Sequence, residues 1–225
     1  MKLPLILINF KTYLEALGEN SVRLAKICKS VAEKYKLNIA IAPESLDLSK
    51  VVTEVKIPVF AQHIDPIEKG GMYTGHIIAE NVKKIGVSGT LINHSERRLE
   101  LKEIEKCIEI AKKFDLVSVC CSESPEKSGE IAKFSPDFIA IEPPELIGTG
   151  ISVSTTKPEI ITETIKKIHE VNSKVKVLCG AGITTEEDVR KALESGTVGI
   201  LVASGVVKAE NPEKVLTEFA KAIKS

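Results

Sequence analysis

Short runs of apolar, often branched residues recur along the whole chain and alternate with longer amphipathic segments. Strands of a parallel sheet are buried on both faces, so nearly continuous apolar runs of this length predict such strands. The pattern predicts eight strands, at residues 3–9, 38–42, 59–62, 90–93, 116–121, 138–142, 175–179 and 198–203.

The segments between these runs repeat apolar residues three and four positions apart, which is the spacing of one helix face. Such faces are formed by Leu101, Ile104, Ile108 and Ala111, by Ile161, Ile165 and Ile168, and by Val215, Phe219 and Ile223. Two start signals support the helices. Asn211 followed by Pro212 predicts an N-cap and a proline in the first turn of a helix. Thr184 with Glu187 three residues later predicts a capping box.

Strict alternation of strands and helices is compatible with an open doubly wound sheet or with a closed (β/α)8 barrel. Eight repeating units of about 28 residues favour closure. No Gly-x-Gly-x-x-Gly motif follows the first predicted strand, so a dinucleotide-binding fold loses its main support. We therefore predict one (β/α)8 barrel domain spanning residues 1–225.

Composition and charge exclude several classes of function. The 31 Lys and Arg residues balance 31 Asp and Glu residues, so the chain lacks the basic surface of a nucleic-acid binder. No apolar run approaches membrane-spanning length and no targeting segment is evident, which predicts a cytoplasmic protein. The abundance of lysine and glutamate is typical of thermophile proteins.

The cysteines and histidines do not predict a metal or cofactor. The five cysteines are odd in number, and we expect all of them to be reduced. Cys120 and Cys121 are adjacent, and the four histidines lack the spacing of zinc ligands. We expect neither a structural zinc nor any cofactor.

Barrel enzymes place their chemistry where the strands end, so these ends supply the candidate residues. They are Asn9 with Lys11, Gln62, Asn93 with His94, Glu142, and the small-residue turns 180–182 and 203–205. His94 precedes Ser95 and Glu96, which predict a helix start whose positive end would favour a neutral imidazole. Glu142 precedes two prolines, and Gly148 and Gly150 supply a flexible end, so residues 143–149 are predicted to form a rigid lid.

These motifs, in order and spacing, resemble the triosephosphate isomerase family. The resemblance rests on Asn9-Phe10-Lys11, on Asn93 to Arg97, on Glu142-Pro143 with Gly148-Thr149-Gly150, and on the last two glycine-containing turns. The short chain and the segment 179–183 resemble the archaeal branch. The resemblance covers essentially all of the chain and implies interconversion of dihydroxyacetone phosphate and glyceraldehyde 3-phosphate, a step of glycolysis and gluconeogenesis.

The resemblance also implies roles for individual residues. This family is itself the standard example of a carboxylate base paired with a neutral histidine electrophile, which assigns those roles to Glu142 and His94. Lys11 and Asn9 would stabilise the enediolate oxygens, and Glu96 would pair with Lys11 or orient its neighbours. Arg97 belongs to the same motif, but it could equally be a surface ion-pair partner with no role in the site. The implied substrate contacts are Asn9, Phe10, Lys11, Ile147, Gly148, Gly182, Ala203 and Ser204.

Departures from the commoner family pattern concern the lid and the assembly. Cys179 replaces a tyrosine that usually latches the closed lid, so the latch is expected to differ. The connection 62–76 resembles the loop whose threonine, here Thr74, reaches a neighbouring subunit. Its apolar residues Ile64, Ile67, Met72 and Tyr73 are expected to be exposed and to favour a subunit contact. A shortened region at 123–133 favours a homotetramer over a dimer.

Two other functions remain open at this level. A Schiff-base lyase would use a lysine on an inner strand, and none is expected within the strand runs. A module that binds phosphorylated sugars without turnover would need the same phosphate contacts but no catalytic base.

Overall fold

The eight predicted strands form one parallel sheet in the computed structural model, which describes residues 1–224. Every predicted run contains a strand, although the third is much shorter than expected. The strands are β1 (Leu5–Asn9), β2 (Asn38–Ala42), β3 (Phe60–Ala61), β4 (Gly89–Ile92), β5 (Val117–Ser122), β6 (Phe138–Ile141), β7 (Lys176–Cys179) and β8 (Gly199–Val202).

The strand order closes the sheet into a barrel. Neighbours along the sheet run β2-β1-β8-β7-β6-β5-β4-β3. A parallel bridge between Ile41 and Val59 joins β2 to the segment just before β3. Ile41 also donates its N–H to the carbonyl of Pro58 at 3.1 Å. The closed (β/α)8 barrel is therefore confirmed and the open doubly wound alternative is wrong.

Helices cover the outside of the barrel and alternate with the strands. They are α1 (Glu19–Tyr35), α2 (Leu48–Glu54), α3 (Ala79–Lys84), α4 (Leu101–Lys113), α5 (Pro125–Ala132), α6 (Val153–Thr156), α7 (Pro158–Asn172), α8 (Glu186–Glu194), α9 (Ser204–Val207) and α10 (Pro212–Lys224). Short 3-10 turns occupy Leu14–Ala16 and Pro144–Leu146. Within residues 1–224, no helix has both the length and the apolar character needed to cross a bilayer.

Side chains of each strand alternate between two apolar layers. The layer inside the barrel holds Leu5, Leu7, Phe60, Leu91, Val119, Cys121, Phe138, Ala140, Leu178 and Leu201. The intervening residues, such as Ile6, Ile8, Ile139 and Ile141, pack outward against the helices. Because successive strand residues point to opposite faces, the next inward position beyond each strand lies at the mouth of the barrel.

One of the two predicted helix starts is confirmed and the other is displaced. Asn211 accepts the backbone N–H of Lys214 at 3.0 Å and thus caps α10. The predicted capping box at Thr184 and Glu187 is wrong by one residue, because Thr185 is the N-cap and Asp188 is its partner. Aspartate has the shorter side chain, but here it reaches back to the N-cap backbone N–H at 2.9 Å.

All five cysteines are buried and free, as predicted. Burial raises the pKa of Cys107 to about 12 and raises that of Cys121 well above the usual thiol value. The negative charge of Glu142 adds to the effect of burial at Cys121. These thiols are therefore protonated and pack as small apolar groups.

Gly89 tests how tightly the inner layer is packed. A Cβ at this position would lie 2.3 Å from the ring of Phe60 and 2.5 Å from the backbone oxygen of Val117. Since a backbone oxygen cannot move aside cheaply, we expect Gly89→Ala to lower the free energy of unfolding by about 1–3 kcal/mol.

A matched control is Gly129→Ala within α5, where the nearest atom to the new Cβ would be 3.8 Å away. Removing a glycine from a helix interior should stabilise the protein by about 0.5–1 kcal/mol. Urea unfolding of both variants measures the difference. Equal stabilities would show that the barrel relaxes freely around Gly89.

Candidate active site

Glu142 occupies the first inward position beyond β6. Its backbone N–H donates to the carbonyl of Ser122 at 2.8 Å, so the adjacent strand fixes the residue. The side chain is only 6% exposed, and its Oε2 has no hydrogen-bond partner among the described residues. A buried, unpartnered carboxylate oxygen costs free energy, so it is typical of a site where a ligand supplies the partner.

Gly180 makes room for this carboxylate. It follows β7 at the inward position, and a Cβ there would lie 2.5 Å from Cγ of Glu142. The N–H of Gly180 donates to the carbonyl of Ile141 at 3.0 Å, which holds the two strand ends together. A glycine in the predicted turn 180–182 is therefore required for the packing of the Glu142 side chain.

His94 faces Glu142 across the mouth of the barrel. Its Nε2 lies 3.9 Å from Oε2 of Glu142, and both side chains are almost completely buried. Burial is the main cause that lowers the pKa of His94 below the usual histidine value, while the charge of Glu142 opposes it. The imidazole is thus neutral near pH 7.

The predicted reason for that neutrality is wrong. Ser95 and Glu96 do not begin a helix, because the next helix starts at Leu101. Instead, the backbone N–H of Glu96 donates to Nδ1 of His94 at 3.2 Å. A neutral ring that accepts at Nδ1 carries its proton on Nε2, the nitrogen that faces Glu142.

Lys11 and Asn9 form the opposite wall of the same cleft. Asn9 is at the end of β1, and its side-chain oxygen accepts the backbone N–H of Lys11 at 2.9 Å. Lys11 has a left-handed backbone with φ 48°, which turns its ammonium across the mouth. Gln62 holds this conformation by donating to the carbonyl of Lys11 at 2.9 Å.

Glu96 pairs with Lys11, as predicted. The Lys11 ammonium lies 3.5 Å from Oε1 of Glu96, whose side chain is 69% exposed. At that exposure the pair orients the lysine and contributes little to stability. Arg97 makes its ion pair with Asp65 at 3.1 Å, which agrees with the alternative of a structural partner.

A single cleft brings most of the predicted site residues together. Its lining includes Asn9, Lys11, His94, Glu142, Ile147, Gly148, Gly182, Ala203 and Ser204. Glu96 lines the adjoining opening with Arg97 and Gln62. Phe10 is an exception, because it is completely buried and packs in the outer layer behind β1. The strand alternation that turns Asn9 inward turns Phe10 outward.

The small-residue turns place backbone against backbone on one side of the cleft. Gly182 has φ 72°, and a Cβ there would lie 1.9 Å from the carbonyl oxygen of Ile151. A Cβ on Gly205 would similarly lie 2.3 Å from the oxygen of Ile183. Within residues 1–224, the backbone N–H groups of Gly148 and Gly182 make no hydrogen bond to the protein. They are available to an anion.

The segment between Glu142 and Ile151 is internally bonded. Leu146 donates its N–H to Pro143 at 3.0 Å, and the hydroxyl of Thr149 donates to the carbonyl of Leu146 at 2.9 Å. Gly148 and Gly150 both have positive φ angles, 75° and 74°. The structure thus has an internally bonded tip followed by two glycines with left-handed backbone, and movement of this segment as a lid stays a prediction.

An ion pair joins the lid to the residue just before α7. Glu145, in the 3-10 turn, lies 2.8 Å from the ammonium of Lys157, just before α7. This pair lowers the pKa of Glu145. Nothing in the sequence indicates this role of Lys157, since a lone lysine before a Pro-initiated helix carries no signal of such a contact.

The connection after β3 is fixed at its base and exposed at its tip. Asp65 is buried and accepts hydrogen bonds from Ile77 at 2.6 Å and from Arg97 at 3.1 Å. Met72 and Tyr73 are exposed, as predicted, and so is Thr74. Contrary to the prediction, Ile64 is completely buried in the core and Ile67 is half-buried. Ile64 packs inward because Asp65 closes the two ends of the loop against the barrel.

No lysine is expected within the strands, but one strand does contain a lysine. Its position does not suit a Schiff base. Lys176 begins β7, at the amino end of the strand, and its side chain lies over the ring of Phe138 at 5.3 Å. The chemistry of a barrel occurs at the carboxyl ends, so this lysine does not support the lyase alternative.

The sequence of this chain is similar to those of known proteins of one family. A profile of the family described as triosephosphate isomerase matches residues 4–224. The triosephosphate isomerase of Methanothermus fervidus is 49% identical over 97% of this chain and 98% of its own. Those of Methanocaldococcus jannaschii and Methanosarcina barkeri are 49% and 46% identical over 97% and 99% of this chain, covering 100% of each relative. The chain therefore belongs to the triosephosphate isomerase family and is an isomerase.

Proposed function

We propose that the protein interconverts dihydroxyacetone phosphate and D-glyceraldehyde 3-phosphate through an enediol, with Glu142 as base and His94 as electrophile. The observation that carries this assignment is the buried Oε2 of Glu142, which has no hydrogen-bond partner within residues 1–224 and lies 3.9 Å from Nε2 of His94. A carbon acid with an adjacent carbonyl oxygen fits between a proton acceptor and a proton donor placed in this way.

The geometry supports a proton transfer between adjacent carbons. Glu142 takes a proton from the carbon next to the carbonyl, while Nε2–H of His94 donates a hydrogen bond to the carbonyl oxygen. The ammonium of Lys11 and the amide of Asn9 stabilise the negative charge that develops on the oxygens. A proton also moves from the hydroxyl oxygen to the former carbonyl oxygen through His94. Glu142 then returns its proton to the neighbouring carbon, so no external oxidant or reductant is needed.

The substrate phosphate would bind to backbone N–H groups at the opposite side of the cleft. The free N–H groups of Gly148 and Gly182 support this placement, together with the turn at Ala203 and Ser204. Ile147 also lines the cleft there. Since Gly148 belongs to the lid, phosphate binding would hold the lid over Glu142 and exclude water from it.

We infer that the active form is a homo-oligomer, with a tetramer favoured over a dimer. Met72 is fully exposed and Tyr73 is 56% exposed at the loop tip, while Leu46 is 90% exposed near the Lys11 side of the cleft. Exposed apolar groups of this size favour burial in a subunit contact. Thr74 would thereby reach the neighbouring site, and the short α5 region would form the second interface.

The cellular role follows from the reaction. We infer a cytoplasmic enzyme of glycolysis and gluconeogenesis that needs no cofactor. The richness in lysine and glutamate, with surface pairs such as Lys26 with Glu54 at 2.7 Å, supports a thermophilic source.

Glu142→Gln tests the base. Glutamine keeps the shape of the side chain but cannot accept the proton, so turnover should fall by at least about 10²–10⁴-fold. A coupled assay of triose phosphate interconversion measures turnover, and calorimetry with 2-phosphoglycolate measures retained binding.

The control is Glu145→Gln in the same loop, which removes only the ion pair to Lys157. It should change turnover far less than Glu142→Gln. Near-normal activity of the Glu142 variant would remove this residue from the mechanism. Binding without turnover in the unmodified protein would instead indicate a phosphate-sugar binding module.

The buried histidines predict a pH dependence of stability. Burial lowers the pKa of both His63 and His94 in the folded protein. The unfolded chain therefore binds more protons below about pH 6.5, and the free energy of unfolding should fall as pH drops from 7 to 5. His63→Asn, which spares the catalytic histidine, should flatten this slope in urea unfolding. An unchanged slope would show that His63 does not contribute.

Assembly can be tested at the loop tip without disturbing its base. Met72→Glu combined with Tyr73→Glu should prevent burial of the tip and yield smaller species by sedimentation. Activity should fall with assembly, because Thr74 no longer reaches the neighbouring site. Lys69→Glu, a charge change in an exposed part of the same loop, is the control. A fully active monomer would show that the loop is dispensable.

A further inference from the structure

Asp188 is a buried carboxylate to which the proposed chemistry gives no role. It lies in the first turn of α8 and is 5% exposed. Its Oδ2 accepts the backbone N–H groups of Thr184 and Thr185 at 3.0 and 2.9 Å. The hydroxyls of the same two threonines lie 3.3 and 2.9 Å away. One carboxylate oxygen thus fixes the end of the turn that follows β7.

These contacts exceed what a helix cap requires. In a capping box the side chain at the third helical position accepts only the backbone N–H of the N-cap residue, which here is Thr185. Asp188 also holds Thr184, which precedes the helix, and its other oxygen, Oδ1, lies 3.3 Å from the hydroxyl of Thr155. Thr155 belongs to α6, a separate element that directly follows the lid.

The backbone of Asp188 makes a second connection to α6. The hydroxyl of Ser154 donates to the carbonyl of Asp188 at 2.8 Å, and Ser152 bonds to Ser154 at 2.8 Å. All three residues are buried. Both the side chain and the backbone of Asp188 therefore connect the segment 151–155 to the start of α8.

The two tied segments also touch each other directly. Gly182 packs so closely on Ile151 that a Cβ would lie 1.9 Å from the Ile151 oxygen and 2.7 Å from the N of Ser152. Gly182 lines the cleft, and its N–H makes no hydrogen bond within residues 1–224, while Ile151 lies just beyond the lid. A shift of either segment would move the other.

We propose that Asp188 is a positioning residue that locks the turn 180–185 to the lid hinge 151–155. The lock presents the N–H of Gly182 to the phosphate and makes lid closure depend on that same contact. This inference rests on the proposed phosphate site. Asp188 touches no substrate atom and acts only through the two backbone segments that it holds.

A carboxylate is the group that this position requires. Both of its oxygens face donors, two backbone N–H groups on one side and a hydroxyl on the other. Asparagine has no negative charge, so in Asp188→Asn the N–H groups of Thr184 and Thr185 lose their charged acceptor.

The test compares ligand affinity with stability in Asp188→Asn. Hydrogen bonds to a charged group are strong enough that their loss should weaken binding of 2-phosphoglycolate and of inorganic phosphate about tenfold. KM should rise in proportion, with a smaller change in kcat, because phosphate binding is shared by the ground and transition states. Ligand-induced protection of residues 148–155 in hydrogen exchange should decrease.

Glu187→Gln is the matched control, since Glu187 lies next to Asp188 and pairs only with Arg190 and Lys191 on the surface of the same helix. It should leave affinity and protection unchanged. If Asp188→Asn lowers the melting temperature but keeps affinity, KM and protection unchanged, Asp188 is only a helix cap and the inference is overturned.

Thr155→Val provides a second test that leaves the helix cap intact. Thr155 is exposed, so the variant should fold, and it loses the hydroxyl that faces Asp188. We expect a weaker effect in the same direction, about two- to threefold in affinity, with reduced protection of the hinge. Unchanged values would overturn the lock even if Asp188→Asn does not fold. Failure of the unmodified protein to bind either anion would refute the phosphate site itself.

Discussion

The closed ring of parallel strands is the constraint on which the site depends. Each strand is bonded on both sides, so its side chains alternate strictly between the barrel interior and the helix layer. The position that follows the last interior residue must then lie at the mouth. Phe138 and Ala140 are interior residues of β6, and Glu142 is the next position in that series. The register that packs the core thus also directs the carboxylate of Glu142 into the mouth of the barrel.

Close backbone approach is the second condition for this site. Gly180 lies where a side chain would collide with Glu142, and Gly182 lies where one would collide with Ile151. The absence of these side chains lets the carboxylate of Glu142, the segment at Ile151 and the turn 180–182 occupy a small space. It also leaves N–H groups of Gly148 and Gly182 facing the cleft instead of a protein acceptor. The arrangement favours an anionic ligand because the backbone itself supplies the donors.

Burial sets the electrostatics of the site more than any helix end does. His94 is kept neutral mainly by its removal from water, and a single backbone N–H from Glu96 determines which nitrogen carries the proton. Lys11, by contrast, retains an exposed carboxylate partner in Glu96. A neutral imidazole, a lysine with a carboxylate partner and a buried carboxylate can therefore coexist within one cleft.

The sequence alone determined the eight strands, the alternation of strands and helices, and the placement of Asn9, His94 and Glu142 at strand ends, because these depend on local apolar periodicity and on chain order. It did not determine that Phe10 points outward, that Ile64 is buried, or that Ser95 begins no helix. Those outcomes depend on which segments meet in space. Asp65 and Asp188 show the reason most clearly, since each carboxylate bonds to residues distant in the chain, and only the closed barrel brings those donors within reach.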